Sequence, residues 1–338
     1  MYRRLYARCD LALRLTARSP ILVQGAQAPT GAATFYRARD PADDGREKYC
    51  IPATTLKGVW RSTAERILRS FEDWLACDPF ADTGEGQSCS RRLEKADWLS
   101  SAKAYEAQCP ACRLFGSTVH AGLLSAQDAW SVRAARPLLK KTGIAIDRFT
   151  GGVTMKNGHG ALHQVEVAPV STTLCTALTI HNPELWQIGL LALAFRELSE
   201  GRATVGSGAR RGLGWLRADV VKVNIAYARG PYEAVRAGGP DTLCSARVLA
   251  QPAERVHAAD DLWPLPGLTE IPSAGWHARV WSRFEINDPA QIHALLAGCV
   301  EQSLAPRLKQ GRAGFGYAIL AAERPGGSRE ENNAAQSV

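Results

Sequence analysis

A chain of 338 residues with 46% apolar content can bury a large core, and its length allows about one to three domains. The longest apolar run, Ile188 to Phe195, is far too short to span a bilayer, and Leu11, Leu13 and Leu15 alternate with Ala12, Arg14 and Thr16 where a secretory signal would be continuous. Neither a membrane protein nor an exported one is expected, and the expected location is cytoplasmic. The net charge of +8 is concentrated: residues 1–70 hold 13 Lys/Arg against 6 Asp/Glu, and residues 131–160 hold 6 against 1. Such patterning belongs to a basic surface facing nucleic acid, or to a solvated face. Nine cysteines, an odd number, argue against a disulfide framework.

Leu5 to Thr16 carries apolar residues at odd positions, the period of a half-buried strand. A long loop follows, roughly residues 25–49, with Arg37, Arg39, Asp40, Asp43, Asp44 and Arg46. Thr54-Thr55 is read as the cap of a helix whose stripe is Leu56, Val59, Trp60, Ile67, Leu68, Phe71 and Leu75. Lys57 and Arg61 share its other side. Cations at a helix start oppose the dipole, so an arriving phosphate would relieve them and meet the first-turn amides; alternatively both are exposed solubilising groups.

Residues 76–115 form a cysteine-rich insertion with little core of its own. Cys109 and Cys112 make a CxxC knuckle, and with Cys77 and Cys89 they can close a tetrahedral zinc site; His120 is a substitute ligand if Cys77 is too far away. The alternative is four unrelated buried thiols. Residues 143–169 read as a hairpin turning at Asn157-Gly158, with Lys156 and His159 beside the turn and Ile146 to Gly152 at the base. Met155 has no evident core partner there, which suits a wedge between bases.

Asn182-Pro183 is read as the cap of a buried helix from Glu184 to Glu200, terminated by Gly201. Then comes Gly206-Ser-Gly-Ala-Arg-Arg-Gly-Leu-Gly214, where glycines at 206, 208, 212 and 214 would let backbone amides approach a polyanion beside Arg210 and Arg211. This loop leaves a helix and opens a strand, the reverse of a dinucleotide loop, and no Gly-Lys-Ser/Thr follows, so neither a nicotinamide site nor an NTPase phosphate loop is expected. A weaker echo appears near the end: a helix from Pro289, then Gly311 to Tyr317, then a strand-like Ala318 to Leu320. The repetition hints at a duplicated or split ferredoxin-like unit. Residues 323–338 are polar and expected to be a disordered tail.

Four separated stretches carry a family resemblance: Ile51-Pro-Ala-Thr-Thr-Leu-Lys57-Gly-Val-Trp-Arg61, Cys109-Pro-Ala-Cys-Arg-Leu-Phe-Gly116, Ile146-Asp-Arg-Phe-Thr-Gly-Gly152 and the Gly206–Gly214 loop. Together, over roughly residues 5–225, they resemble the RAMP superfamily of CRISPR proteins, in particular the Cas-seven backbone subunits of type III and type IV effector complexes. The resemblance implies an α+β fold: an RRM/ferredoxin-like palm over residues 1–322, with a thumb hairpin, the cysteine-rich insertion and a C-terminal part at 240–322. Its implied partners are a CRISPR guide RNA, a target nucleic acid, other copies of the chain in a filament and other effector subunits, with no membrane. Lys57, Arg61, Arg210, Arg211 and the amides of Gly206, Gly208 and Gly212 would follow guide phosphates. The thumb would offer Arg148, Phe149, Met155 and Lys156.

In type III subunits a loop aspartate cuts target RNA, and here Thr34 falls at that position, with no carboxylate to offer. A non-cleaving, type IV-like subunit is therefore expected. The alternatives are cleavage through Asp40, Asp43 or Asp44, precursor processing by His159 or His163, and a stand-alone RNA-binding domain.

Overall fold

The computed structural model describes residues 4–24, 33–41, 45–81, 88–94, 100–156, 159–160, 162–236, 241–250, 261–271 and 280–316. Asp43, Asp44, the Asn157-Gly158 turn, the strand expected at Ala318 to Leu320 and the tail from 323 lie outside them.

Alternation in the first apolar stretch becomes β1, Ala7–Ala17, whose odd residues are buried while Arg8 and Arg14 are exposed. In chain order come β2 (Ala33–Thr34), β3 (Arg37–Arg39), β4 (Glu47–Ile51), α1 (Ala53–Arg69), α2 (Pro110–Phe115), β5 (Leu124–Ala126) and β6 (Ala129–Ser131). After them stand β7 (Leu139–Ile144), β8 (Leu162–Val167), β9 (Thr173–His181), α3 (Leu185–Ser199), β10 (Leu216–Ala228), β11 (Trp281–Ile286) and α4 (Pro289–Gly298).

The main antiparallel sheet runs β11-β10-β1-β9-β6-β4-β3, with β5 also paired to β9. Within it, β1, α1, the β5/β6 pair, β9, α3 and β10 make a β-α-β-β-α-β unit. Its fourth strand lies beside the first, the first beside the third, and the third beside the second. The odd side chains of β1 and the apolar stripes of α1 and α3 share one core, where Trp60 meets Phe195 edge-on at 5.7 Å. The architecture is α+β.

Several boundaries differ from the sequence reading, each for a local reason. Helix α1 begins at Ala53 with Pro52 as N-cap, and the cap comes from afar: the Asp128 carboxylate accepts from the Ala53 amide at 2.7 Å. A carboxylate already sits on that dipole, so an incoming phosphate would meet like charge there. The helix also stops at Arg69, which leaves Phe71 outside the stripe and 58% exposed. Helix α3 is capped by Glu184, which forms a reciprocal capping box with Gln187, while Asn182 uses its side-chain oxygen on the Tyr6 and Ala7 amides to fasten the start of β1. Gly201, at φ +76°, ends the helix as expected.

The C-terminal part extends the same sheet. Strand β11 pairs with β10 from Val223 to Ala228, and the chain after α4 crosses α3 so closely that a Cβ at Gly189 would lie 2.5 Å from the Cys299 carbonyl. The second glycine-arginine loop differs from the first, because Arg312 is held by Glu72 and lies over the Trp74 ring.

The predicted hairpin at 143–169 is longer at its root and more divided at its end. Strands β7 and β8 pair antiparallel from Leu139↔Val167 to Ile144↔Leu162, and β2 adds in parallel to β8. Beyond them, Ile146 bridges Val153, so Arg148 to Gly151 form a turn of their own in place of a base, before Met155-Lys156 pairs with His159-Gly160. The cause is Asp147, whose carboxylate accepts from the Phe149 and Thr150 amides and the Thr150 hydroxyl.

Candidate nucleic-acid interface

The Gly206–Gly214 loop is built by its glycines, all four at positive φ. A Cβ at Gly206 would lie 2.2 Å from the Leu22 carbonyl oxygen, and one at Gly214 would lie 2.4 Å from that of Val205. The amides follow the same logic: Ser207 donates to Leu22 O, Gly214 to Pro20 O, and Gly212 to Ala209 O. Those three amides, including the one at Gly212 assigned to phosphates from the sequence, are therefore committed to the fold. What the loop presents is the pair Arg210 and Arg211 on the short turn Ala209–Arg211. Both are exposed, and neither guanidinium makes a hydrogen bond or ion pair with any described residue, although the Arg211 amide donates to Gly208 O. Leu213 points inward, joining Leu22, Val165 and Val167 in a small core that ties the loop to the root of the β7–β8 hairpin.

On α1, Lys57 and Arg61 border a groove of about 800 Å³ that also exposes Ser117, Thr118 and His120. Neither is a free surface cation. The Lys57 ammonium donates to the Leu124 carbonyl at 3.0 Å, and burial, reinforced by Arg61, pushes it below the ordinary lysine range. Arg61 donates to Glu65, to the Gly116 carbonyl and to the Cys112 sulfur. Three of its five N–H groups are thus used.

The four predicted cysteines converge. The sulfurs of Cys77, Cys89, Cys109 and Cys112 all lie within 4.8 Å of one another, every residue buried, with Cys77 and Cys112 3.7 Å apart. Zinc–sulfur bonds of about 2.3 Å at tetrahedral angles put sulfurs about 3.8 Å apart, so the set fits such an ion. Because Cys77 is near, His120 is not needed; it stands against the Tyr105 ring. Arg92 donates to the Cys89 sulfur at 3.1 Å and Arg61 to that of Cys112 at 3.5 Å, offsetting thiolate charge. Hydrogen bonds shared among the four thiols hold Cys77 and Cys89 below the ordinary thiol range, while Cys109 and Cys112 are held above it. Arg92 was missed in the sequence, and Arg61 was read there only as a phosphate contact, since nothing in their spacing relates them to the sulfurs.

At the turn beyond β7, Phe149 is 100% exposed, Arg148 is exposed and without a described partner, and Ile146 is 63% exposed. An aromatic ring and a cation stand together in solvent, as a base-stacking contact requires. The side chains of Met155 and Lys156, also assigned to RNA, lie outside the described part.

The sequence model of the RAMP superfamily matches residues 14–217, which takes in α1, the cysteine cluster, the hairpin and the glycine loop. The chain belongs to the RAMP superfamily. No curated protein matches it. RAMP proteins are CRISPR-associated and bind CRISPR RNA in complexes.

In this RAMP protein one of the three aspartates considered for cleavage, Asp40, is engaged, while Asp43 and Asp44 lie outside the described residues. Asp40 is nearly buried against Lys48, 3.1 Å away. Thr34 donates to Glu166 at 3.1 Å, placing a carboxylate from β8 beside the position where the loop carries none. Among the described residues no helix is long and apolar enough to cross a membrane.

Proposed function

We propose that this RAMP protein is a non-cleaving, type IV-like backbone subunit that polymerises along a CRISPR guide RNA and presents it for target pairing. The β-α-β-β-α-β unit is its RRM-like palm and the β7–β8 hairpin its thumb. The observation that supports this reading best is the unpaired Arg210-Arg211 couple, set rigidly on a glycine turn at the thumb's root. Backbone phosphates are gripped there and the bases stay free, so that specificity comes from the guide and not from the protein. Cys77, Cys89, Cys109 and Cys112 would hold a zinc ion whose contribution is to close the insertion onto α1.

Negative-stain imaging of the protein co-expressed with its RNA is expected to show regular filaments; isolated monomers on RNA would favour a stand-alone binding domain. Labelled complementary RNA incubated with the assembled complex and magnesium should stay intact. Evenly spaced products lost in Asp40→Ala, Asp43→Ala, Asp44→Ala or Glu166→Ala would replace this reading with that of a target-cleaving type III subunit.

Lys57 provides a pH test. Its free-state pKa is lowered, and a phosphate beside it would raise that value, so RNA affinity is flat below the free-state pKa and falls as pH climbs through it. The decline should begin at a lower pH than for ordinary lysine contacts and vanish in Lys57→Arg. A decline unchanged in that variant would remove Lys57 from the interface.

A further inference from the structure

A cavity of about 640 Å³, lined from β1, from the segment after β6 and from the turn before β9, shares no lining residue with the α1 groove or the Gly206–Gly214 loop. Its walls carry three guanidinium groups, from Arg14 on β1 and from Arg133 and Arg136 on the segment between β6 and β7, and no carboxylate among the lining residues. All three arginines are exposed, and none of their guanidinium groups has a hydrogen-bond or ion-pair partner among the described residues. Asp219, opposite Arg14 in the β1–β10 register, is held by Arg217, and Glu47 by Arg37.

The backbone that carries these arginines is nonetheless pinned. Arg133 O accepts from the Ser131 hydroxyl at 2.7 Å, Arg136 O accepts from the Tyr49 hydroxyl at 2.7 Å, and the Ala135 amide donates to Glu47 O at 2.8 Å. The opposite wall is a tight turn in which Ser171 is held at φ +64°, a left-handed conformation that a serine adopts only under constraint. Like charges on a rigid frame without counterions repel one another, and a polyanion relieves that repulsion.

The cavity also continues the surface already described. The Ala17 amide donates to Thr172 O on its rim, and the Arg18 amide donates to Trp215 O at the end of the glycine loop. Arg18 is exposed and Trp215 is 41% exposed, so cationic and aromatic groups extend from Arg211 past Arg18 to Arg14.

We infer that the Arg14–Arg133–Arg136 cavity is a second phosphodiester-binding site for single-stranded RNA, separate from the Gly206–Gly214 loop and joined to it past Arg18. The inference rests on the reading that the protein holds RNA, and it adds a separate place where the strand is gripped. Cys175, opposite Arg14 in the β1–β9 register, lines the same cavity and is exposed, whereas the other eight cysteines are buried. The molecule therefore carries its own reporter.

The test uses the full chain and a single-stranded oligouridylate. Maleimide labelling of Cys175, mapped by mass spectrometry, should slow severalfold when the oligonucleotide is bound. Arg133→Ala with Arg136→Ala should reduce the steepness of the salt dependence of binding by about 1.4, from about 0.7 per lost phosphate contact. These side chains hold nothing in the fold, so the melting temperature should stay unchanged. If Arg210→Ala with Arg211→Ala lowers the slope while the Arg133/Arg136 pair does not, and Cys175 stays reactive, the second site is refuted and the RNA-binding reading survives. If wild-type binding shows no salt dependence at all, that reading itself fails. If the Arg133/Arg136 variant keeps its slope but loses self-association, the cavity receives an acidic surface of a neighbouring copy, which also overturns the inference.

Discussion

Cys109→Ser should be the most destabilising single substitution in the insertion, lowering the unfolding temperature by on the order of 10 °C, the shift that a loss of about 4 kcal/mol produces. The reason is the number of elements that converge on its neighbours. Cys77 follows the end of α1, Cys89 opens the short helix Cys89–Glu94, and Cys109 and Cys112 sit at the start of α2. Arg61 joins α1 to the group through the Cys112 sulfur. Loss of one sulfur would leave a bound ion with three thiolates and leaves Arg92 and Arg61 facing a weakened acceptor set, so Arg61 loses its place beside the groove. Metal analysis should find one zinc per wild-type chain and much less in the variant, and a strong chelator should lower the wild-type melting temperature toward that of the variant. A wild-type protein without stoichiometric metal, or a variant that melts at the same temperature, would reduce the cluster to four buried thiols.

The contrast between the cysteines and the cations shows which kinds of information local sequence carries. Alternation placed β1 within two residues at its start and one at its end, because a strand with one buried face leaves a period-two record in its own residues. The helix-loop-strand order around Gly206–Gly214 was legible for the same reason. The CxxC knuckle named two of the clustered cysteines by spacing, and Cys77 and Cys89 followed from their place in the same insertion. What could not be read was which polar groups other parts of the chain consume. Asp128 caps α1 from 75 residues away, Gly116 O takes a donor of Arg61 from 55 residues away, and Phe315 O binds Arg113 across 202 residues. Each is a long-range contact that makes an apparently available group part of the scaffold. Strand β11 escaped notice too, since pairing with β10 depends on a register that neither strand encodes alone.

The same distinction separates glycines that shape the loop from arginines that face outward, and mutations should divide them cleanly. Gly206→Ala forces a left-handed residue to carry a Cβ, at about 1–2 kcal/mol, and drives that Cβ into the Leu22 carbonyl 2.2 Å away, where backbone must move. A total near 3 kcal/mol is expected, since Leu22 belongs to the small core at the thumb's root. Gly212→Ala meets nothing within 4 Å, so only the conformational term of about 1 kcal/mol remains. Arg210→Glu with Arg211→Glu should do the opposite: no change in melting temperature, because neither side chain holds a described partner, but a loss of single-stranded RNA affinity of at least tenfold at moderate salt. The salt dependence should flatten by about 1.4 for the two lost contacts alone. Gly206→Ala would weaken RNA binding only through the displaced loop, so part of that loss should be recoverable at low temperature, where the native loop is repopulated. A charge-reversed pair that binds RNA with wild-type affinity and wild-type slope would show that the glycine turn serves the fold alone.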